Sequence, residues 1–275
     1  MANKSEIEII KKDEYHTEVI AASYTKLLDR DVEVELFLPP GYDGGKQKYP
    51  LLLLNDGQDN KAVKVKETVE RLTAKAVIPK IVVAGVKAAD RLQEYGIASR
   101  KDYLGRGRKA KAYSKFITNE LLPHLTHRYP VQLENHVIAG YSMGGLSAVD
   151  IAWNYPFLFS KVGAFSGSFW WRRKSTASKS YSDQRDKLIL REIRKGKYKE
   201  GLKFWFQTGT LDEVSDRNRN GVIDSIDDTL DLIAELTKKG YRPYHDIHYY
   251  EMKDGKHNTE TWAKAMPKFL EWAFG

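Results

Sequence analysis

One stretch of the chain decides the fold: HVIAGYSMGGLSAVDIA, residues 136–152. It begins with an apolar run typical of a buried strand and ends with a helix-compatible run. Between the two lies Gly140-Tyr141-Ser142-Met143-Gly144, a Gly-x-Ser-x-Gly pattern in the strand-then-helix context that it requires. The glycines let strand and helix pass close together, so Ser142 would sit on a sharp, strained turn. The pattern predicts a nucleophilic Ser142, and an ordinary serine in a small-residue turn is the alternative.

Outward from this stretch, short apolar runs alternate with helical patterns. Strands are predicted at His16 to Leu28, Val32 to Leu38, Leu51 to Asn55, Lys80 to Val86, His136 to Tyr141, Lys161 to Phe165, Lys203 to Thr208 and Tyr244 to Glu251. Helices are predicted at Lys61 to Ala76, Lys109 to Tyr129, Gly144 to Asn154, Leu188 to Arg194, Ser225 to Lys239 and Thr259 to Phe274. This order predicts an α/β fold class: one domain over residues 1–275, a mainly parallel eight-stranded sheet with helices on both faces, and an N-terminal hairpin.

Composition narrows the functional classes. Hydrophobic residues make up 41% of the chain and charged residues 30%, which indicates a globular protein. The net charge is +8, and the segment from Arg172 to Lys203, with twelve basic and four acidic residues, accounts for the whole excess. The remainder is balanced, which argues against a general nucleic-acid surface. No cysteine is present, so thiolate catalysis, disulfides and cysteine-based zinc sites are excluded.

Targeting signals are not apparent in the sequence. No apolar run is long enough to span a bilayer, and the first 30 residues lack the apolar core of a signal peptide. The chain as given is expected to be soluble and cytoplasmic, or exported if a leader has been removed. Its oligomeric state is left open.

Five blocks of sequence resemble the putative-esterase family of α/β-hydrolases, which includes enterochelin-type, feruloyl and acetyl-xylan esterases and mycolyltransferases. The blocks are Pro39-Pro40-Gly41-Tyr42, Leu53-Leu54-Asn55-Asp56-Gly57-Gln58, Asp102-Tyr103-Leu104-Gly105-Arg106-Gly107, Gly140-Tyr141-Ser142-Met143-Gly144-Gly145 and Phe165-Ser166-Gly167-Ser168-Phe169-Trp170-Trp171. The resemblance extends from about Val32 to the C-terminus. It implies an α/β-hydrolase fold and acyl-ester chemistry, and it leaves the acyl group open.

A serine nucleophile needs a general base and an acid that orients the base. Of the histidines after Ser142, His245 and His248 fall in or beside the last predicted strand. His257 falls on a polar loop before the last helix and is the expected base, with an exposed position beside the helix start as the alternative. The family's Gly-Thr-x-Asp pattern falls on Asp212, the expected acid, and Glu213 is the second candidate.

Two backbone N–H groups are expected to hold the developing oxyanion. Met143 supplies one through the turn at the nucleophile. The resemblance assigns the other to Gln58, in the loop after the third strand, where a structural turn is the alternative. For substrate binding, Tyr141, Trp170 and Trp171 are expected to line a pocket, although each of these side chains could equally fill the core.

A calcium-like loop follows the candidate acid. Residues 216–227 read DRNRNGVIDSID, with oxygen side chains at loop positions one, three, five, nine and twelve and glycine at six. Asp at position twelve makes the loop resemble that of dockerins more than that of calmodulin. The spacing predicts a structural Ca²⁺ held by Asp216, Asn218, Asn220, Asp224, Asp227 and the carbonyl of Val222. Asx turns that begin a helix are the alternative.

These observations predict a serine hydrolase that cleaves a small-molecule or carbohydrate ester through an acyl-enzyme intermediate, without an organic cofactor. The alternatives are an acyltransferase on the same fold and a non-catalytic carbohydrate- or partner-binding module. The basic segment at 172–203 occupies the usual place of a lid. One hypothesis is that it attracts an anionic substrate; a solvated helical excursion is the other.

Overall fold

The computed structural model describes residues 14–42 and 47–275. The expectation that no signal peptide begins the chain concerns the first 30 residues, of which 1–13 lie outside these ranges. The strands are β1 (His16–Thr25), β2 (Arg30–Leu38), β3 (Leu51–Asn55), β4 (Val82–Val86), β5 (His136–Tyr141), β6 (Phe159–Phe165), β7 (Lys203–Leu211) and β8 (Ile247–Lys256). The α-helices are α1 (Val65–Ala74), α2 (Arg91–Glu94), α3 (Ala110–Lys115), α4 (Leu122–Arg128), α5 (Met143–Asn154), α6 (Asp183–Asp186), α7 (Leu188–Lys195), α8 (Asp224–Lys238) and α9 (Thr259–Phe274). Each predicted strand and helix is present; β3, β5 and α9 have the predicted ends, and the others begin or end at different residues.

The strands form one eight-stranded sheet in the order β1-β2-β4-β3-β5-β6-β7-β8. The N-terminal hairpin pairs β1 with β2, and β2 pairs antiparallel with β4; every other neighbouring pair is parallel. The mainly parallel sheet and its antiparallel N-terminal hairpin are confirmed. Because parallel strands end at the same edge, the loops after β3, β5, β6, β7 and β8 all meet there.

Apolar side chains on the two faces of the sheet form two cores. One core contains the buried side chains of α1 and α9, such as Val69 and Phe269. The other contains those of the helices between β4 and β5, of α5 and of α7, such as Phe116, Leu146 and Leu190. All five residues of β3 and all six of β5 are buried, as expected for strands covered on both faces. The central strands therefore hold the loops at their ends in fixed positions.

The helical region predicted at 109–129 contains an irregular turn. Between α3 and α4, residues Phe116–Leu121 form a π-helix, and Leu122 N–H donates to the carbonyl of Ile117, five residues back. Pro123 follows in the first turn of α4. Proline has no N–H and its ring crowds the carbonyl four residues back, so a regular α-helix is disfavoured at this point.

The basic segment at 172–203 packs into the body of the domain. Leu188, Ile189 and Ile193 of α7 are buried in one of the two cores. Lys187 is fully buried and pairs with Asp228 and, at 2.7 Å, with Asp231, both in α8. A role as a lid stays a prediction. Among the described residues, no helix has the length and apolar character needed to cross a membrane.

Candidate active site

Ser142 lies on a strained turn between β5 and α5. Its backbone has φ 54° and ψ −118°, an unusual conformation for a residue with a side chain. A Cβ on Gly140 would overlap the backbone of Gly144. The turn is fixed from the side of β6, because Ser142 N–H donates to the Phe165 carbonyl at 2.8 Å and the Ser142 carbonyl accepts from Ser168 N–H at 3.0 Å. The sequence therefore places the Ser142 hydroxyl at the carboxyl edge of the sheet.

Ser168 was not singled out in the sequence, yet it contacts the candidate nucleophile. Its Oγ lies 3.2 Å from the Oγ of Ser142, within hydrogen-bond distance. The residue itself is buried, at 2% exposure. Ser168 belongs to the recognised block that runs from Phe165 to Trp171. The sequence therefore indicated that this segment matters, but it did not predict the contact between Ser168 and Ser142.

His257 follows β8 directly and precedes α9, on the loop where it was expected. Its ring stands at 78° to that of Trp262, with the centroids 5.4 Å apart. Protein atoms around the imidazole remove part of its hydration and lower its pKa. Nearby Asp212 opposes this shift in pKa, and Arg91 reinforces it. The imidazole is therefore neutral near pH 7, as a general base must be.

Asp212 follows β7 and is 8% exposed. Among the described residues, neither of its carboxylate oxygens has a partner in good hydrogen-bond geometry. Burial raises its pKa, while contacts with the Gly209 backbone and with Ser166, followed by the charge of His257, oppose the increase. The structure thus brings Asp212 and His257 into electrostatic contact. It shows no hydrogen bond joining the described His257 ring to Asp212 or to Ser142, and such bonds often tighten only when substrate is bound.

Glu213, the second candidate for the acid, has different neighbours. Burial raises its pKa, and the carboxylates of Asp224 and Asp228 raise it further. A backbone hydrogen bond from Ser225, in the first turn of α8, acts in the opposite direction. The electrostatic neighbours of Glu213 are thus α8 and its carboxylates, and those of Asp212 include the imidazole.

The two N–H groups expected at the oxyanion lie on adjoining turns. Met143 is the first residue of α5, and Gln58 lies in the short 3₁₀ turn Gly57–Asp59. In the described part of the chain, neither N–H makes a backbone hydrogen bond. Asn55 joins the two turns, because its side-chain amide donates to the Gly144 carbonyl at 2.8 Å. Both free N–H groups are therefore held near the start of α5.

An ion pair missed in the sequence stabilises this loop. Arg91 donates to both carboxylate oxygens of Asp56, from Nε at 2.6 Å and from Nη2 at 3.0 Å. The same carboxylate accepts from the Gln58 side chain at 2.8 Å. Asp56 is fully buried and has a left-handed backbone, with φ 64°. The partners are 35 positions apart in the sequence, so the pair was not predictable from it, although Asp56 belongs to a recognised block.

The three aromatic residues expected to line a pocket have different positions. Tyr141 is fully buried and stacks on Trp262, with centroids 5.0 Å apart. Trp171 is also fully buried in the core. Neither position supports direct contact with substrate, because the side chains fill the space between sheet and helices. Trp170 is partly exposed and lines a cleft together with Tyr103 and Arg106.

The calcium-like loop has a network of internal hydrogen bonds. The Asp216 carboxylate accepts from the backbone N–H groups of Asn220 and Gly221. The side-chain amides of Asn218 and Asn220 both donate to Asp227 Oδ2, at 2.7 and 2.9 Å. Side chains at loop positions three, five and twelve therefore converge, while the amide oxygens of Asn218 and Asn220 accept from the backbone N–H groups of Asn220 and Val222.

Asp224, a predicted ligand, is directed elsewhere. Its two carboxylate oxygens accept from the backbone N–H of Arg217 at 2.8 Å and pair with the Arg217 guanidinium at 2.9 Å. Asp224 is also the first residue of α8. In this arrangement it neutralises an arginine rather than facing Asp227 across the loop.

Comparisons with known proteins give a consistent family. A family model described as "Putative esterase" matches residues 25–273. "Uncharacterized protein YbbA" of Bacillus subtilis is 24% identical over 246 residues, which cover 87% of this chain and 91% of the relative. The iron(III) enterobactin esterase of Escherichia coli K12 is 25% identical over 157 residues, covering 56% of this chain and 34% of that protein. A solved ferulic acid esterase superposes with a TM-score of 0.70 at 19% identity, over 95% of this chain and 98% of that chain. The structural likeness confirms the α/β-hydrolase fold.

Proposed function

Because this chain belongs to the "Putative esterase" family and is a carboxylic ester hydrolase, we propose that it forms an acyl-enzyme on Ser142. The observation that carries the proposal is the strained turn that fixes Ser142 at the edge of the sheet where His257 and Asp212 meet. Two of the similar proteins are an iron(III) enterobactin esterase and a ferulic acid esterase. For this chain we propose a small-molecule or carbohydrate ester.

In the proposed reaction, Ser142 Oγ attacks the ester carbonyl carbon while neutral His257 accepts the hydroxyl proton. The carbonyl oxygen gains the negative charge and is stabilised by the N–H groups of Met143 and Gln58. The carbon–oxygen bond to the alcohol then breaks, and His257 gives its proton to the leaving alcohol. Water repeats the sequence on the acyl-enzyme, which releases the acid and restores Ser142. Asp212 orients the imidazole and stabilises its charged form.

Labelling with a fluorophosphonate probe tests the proposed nucleophile. The wild-type protein is expected to become covalently labelled, and Ser142→Ala is expected to abolish labelling and to lower kcat by at least about 10⁴-fold. Ser160→Ala is a matched control, because its hydroxyl bonds to the Asn135 carbonyl on the surface, away from the candidate site. No labelling of the wild type, or equal labelling of Ser142→Ala, would refute the proposal.

Product analysis separates hydrolysis from acyl transfer. Acetyl, feruloyl and long-chain esters are incubated with and without an added sugar alcohol, and both the free acid and any new ester are measured. Hydrolysis predicts free acid as the main product in both cases. A new ester formed at the expense of the acid would assign the same acyl-enzyme to a transferase.

We also propose that the loop at 216–227 binds one structural Ca²⁺. The convergence of Asn218 and Asn220 on Asp227 supports it, together with the position of Asp216 at the start of the loop. The carbonyl of Val222 completes the proposed ligand set, and Asp224 is omitted because Arg217 occupies it. The ion would stabilise the loop that follows Asp212 and takes no part in the reaction.

Calorimetric titration of chelator-treated protein with Ca²⁺ tests the site. Binding heat and a rise in Tm are expected for the wild type, and both should be lost in Asp216→Ala. Asp31→Ala, which removes an exposed carboxylate from β2, five strands away from β7 in the sheet, is the matched control. Absence of both heat and Tm change in the wild type would remove calcium from the proposal.

A further inference from the structure

A cleft of about 310 Å³ opens beside the candidate active site. Tyr103 and Leu104, from the segment before α3, form its rim. Trp170 and Arg172, which follow β6, form one wall, and residues of the loop after β7 form the other. The backbone at Arg172 is fixed, because its carbonyl accepts from Tyr103 N–H at 3.1 Å. The cleft is thus a feature of three anchored segments.

Its position relates the cleft to the proposed nucleophile. Trp170 comes two residues after Ser168, whose hydroxyl lies 3.2 Å from that of Ser142. On the opposite wall, Glu213 is the residue next to Asp212. An ester with its carbonyl carbon at Ser142 can therefore extend either its acyl part or its alcohol part into the cleft.

Most charges that line the cleft are already neutralised by described neighbours. Arg106 Nε donates to the carboxylate of Asp102 at 2.7 Å. Arg217 and Asp224 pair with each other at 2.9 Å. Glu213 has no ion-pair partner among the described residues; a backbone hydrogen bond from Ser225 favours its charged form, while burial and the carboxylates of Asp224 and Asp228 raise its pKa.

Arg172 differs from Arg106 and Arg217 in that its charge is not paired by any described residue. Among the described residues, no carboxylate pairs with its guanidinium, and its buried Nε has no hydrogen-bond partner. Within the described part of the chain, its guanidinium makes one polar contact, a long hydrogen bond of 3.4 Å from Nη1 to the Trp170 carbonyl. The guanidinium carbon lies 5.6 Å from the ring centre of Tyr103 and 5.9 Å from that of Trp170. Two aromatic rings therefore position a cation whose hydrogen-bonding capacity is largely unused.

We propose that Arg172 binds a carboxylate group of the ester substrate, with Tyr103 and Trp170 packing against the adjoining carbon framework. The inference rests on the proposed function and names its substrate class: esters that carry a second, free carboxylate. A planar carboxylate matches the donor fork of a guanidinium, and Arg172 is the cleft cation that has no carboxylate partner among the described residues. The volume suits a small acid rather than a polymer.

Pairs of esters that differ only in this charge test the inference. For the acyl side, 4-nitrophenyl hydrogen adipate is compared with its methyl ester. For the alcohol side, 3-acetoxybenzoate is compared with methyl 3-acetoxybenzoate. The ratio of kcat/KM for the acid over the methyl ester is expected to exceed one in at least one pair, and Arg172→Gln should lower that ratio about tenfold to a hundredfold. Which pair responds identifies the part of the substrate that enters the cleft.

Two further variants separate direct binding of the carboxylate by Arg172 from general attraction by a nearby positive charge. Lys174→Gln removes the same charge two residues away, outside the lining of the cleft, and should leave the ratio unchanged. Arg172→Lys keeps the charge but loses the fork, and should restore only part of the preference. Ratios that are equal in wild type and Arg172→Gln for both pairs would overturn the inference. Turnover of the methyl esters and fluorophosphonate labelling of Ser142 report separately on the proposed function.

Discussion

Two buried carboxylates near the carboxyl edge of the sheet have opposite surroundings. Asp228 is fully buried and pairs with Lys187 and with Arg217. Asp212 is 8% exposed and, among the described residues, its oxygens have no well-formed hydrogen bond. Burial raises the pKa of both; two cations oppose the increase at Asp228, and contacts with the Gly209 backbone and Ser166 and the charge of His257 oppose it at Asp212.

The difference separates a structural role from a proposed catalytic one. A carboxylate whose partners are already in place has little capacity left for a changing charge. One left unpaired beside an imidazole can respond when that imidazole gains a proton. We therefore expect a substitution at Asp212 to affect the rate, and a substitution in the cluster around Asp228 to affect the free energy of unfolding.

The largest effect is expected for Asp212→Asn. An amide cannot stabilise a protonated His257 or hold the correct tautomer, so kcat for a neutral acetyl ester should fall by about 10⁴-fold. The free energy of unfolding should change little, because no well-formed hydrogen bond to a described residue is lost. Steady-state kinetics and urea denaturation of the same preparation measure the two quantities.

Glu213→Gln is the matched control for that prediction. The adjacent carboxylate lies among Asp224 and Asp228, and its replacement should change kcat less than about tenfold. If Glu213→Gln instead caused the greater loss of activity, the assignment of the acid would move to Glu213 and the contrast with Asp228 would fail.

The next largest effect is expected for the buried ion-pair cluster around Asp228. Lys187→Met should lower the free energy of unfolding by about 3–5 kcal/mol, because it removes a cation from the buried carboxylate of Asp228 and from the partly exposed one of Asp231. Below its Tm the variant should retain the kcat of the wild type. Urea denaturation and an ester assay at low temperature test the two statements.

Lys195→Met controls for the loss of a lysine, because Lys195 is exposed at the C-terminal end of α7, the helix that Lys187 precedes. It should change the free energy of unfolding by less than about 0.5 kcal/mol. A large loss of kcat in Lys187→Met at a temperature where the variant is folded would contradict the assignment of a structural role to the Asp228 cluster and a catalytic role to Asp212. The cluster would then support the proposed acid, and it would not be solely structural.

The sequence predicted the fold because its strands are buried on both faces and read as continuous apolar runs. The loop at Ser142 was also predictable, since a turn that passes so close to a helix tolerates only small residues at 140 and 144. Contacts between distant residues were not. Lys187 was counted with the rest of the basic segment, because lysine is rarely buried and two of its acidic partners, Asp228 and Asp231, lie about 40 residues away in α8.

The same limit applies within the candidate site. Tyr141 flanks the nucleophile in sequence, but alternation along β5 turns its side chain into the core, where Trp262 covers it. Arg91 lies in no recognised block and reaches the site through Asp56 and, at 3.5 Å, through the Tyr141 carbonyl. Positions set by one turn of backbone were predictable, and positions set by packing between loops required the structure.

Arg91 combines a structural role with an electrostatic one. It pairs with the Asp56 carboxylate, and its charge still acts on the imidazole of His257. The charged groups that act on His257 are Asp212, which raises its pKa, and Arg91, which lowers it.

Arg91→Met should therefore raise the pKa of His257. Because the base must be neutral, the acid limb of the kcat/KM profile should move to higher pH, toward the usual histidine pKa of about 6.5. Above that limb, activity should fall by about tenfold or less, since Asp56 loses its partner beside the Gln58 turn. Arg91→Lys keeps the charge and should return the limb to its wild-type position. A limb that stays in place in Arg91→Met, with activity lowered at every pH, would mean that Arg91 acts only by holding Asp56.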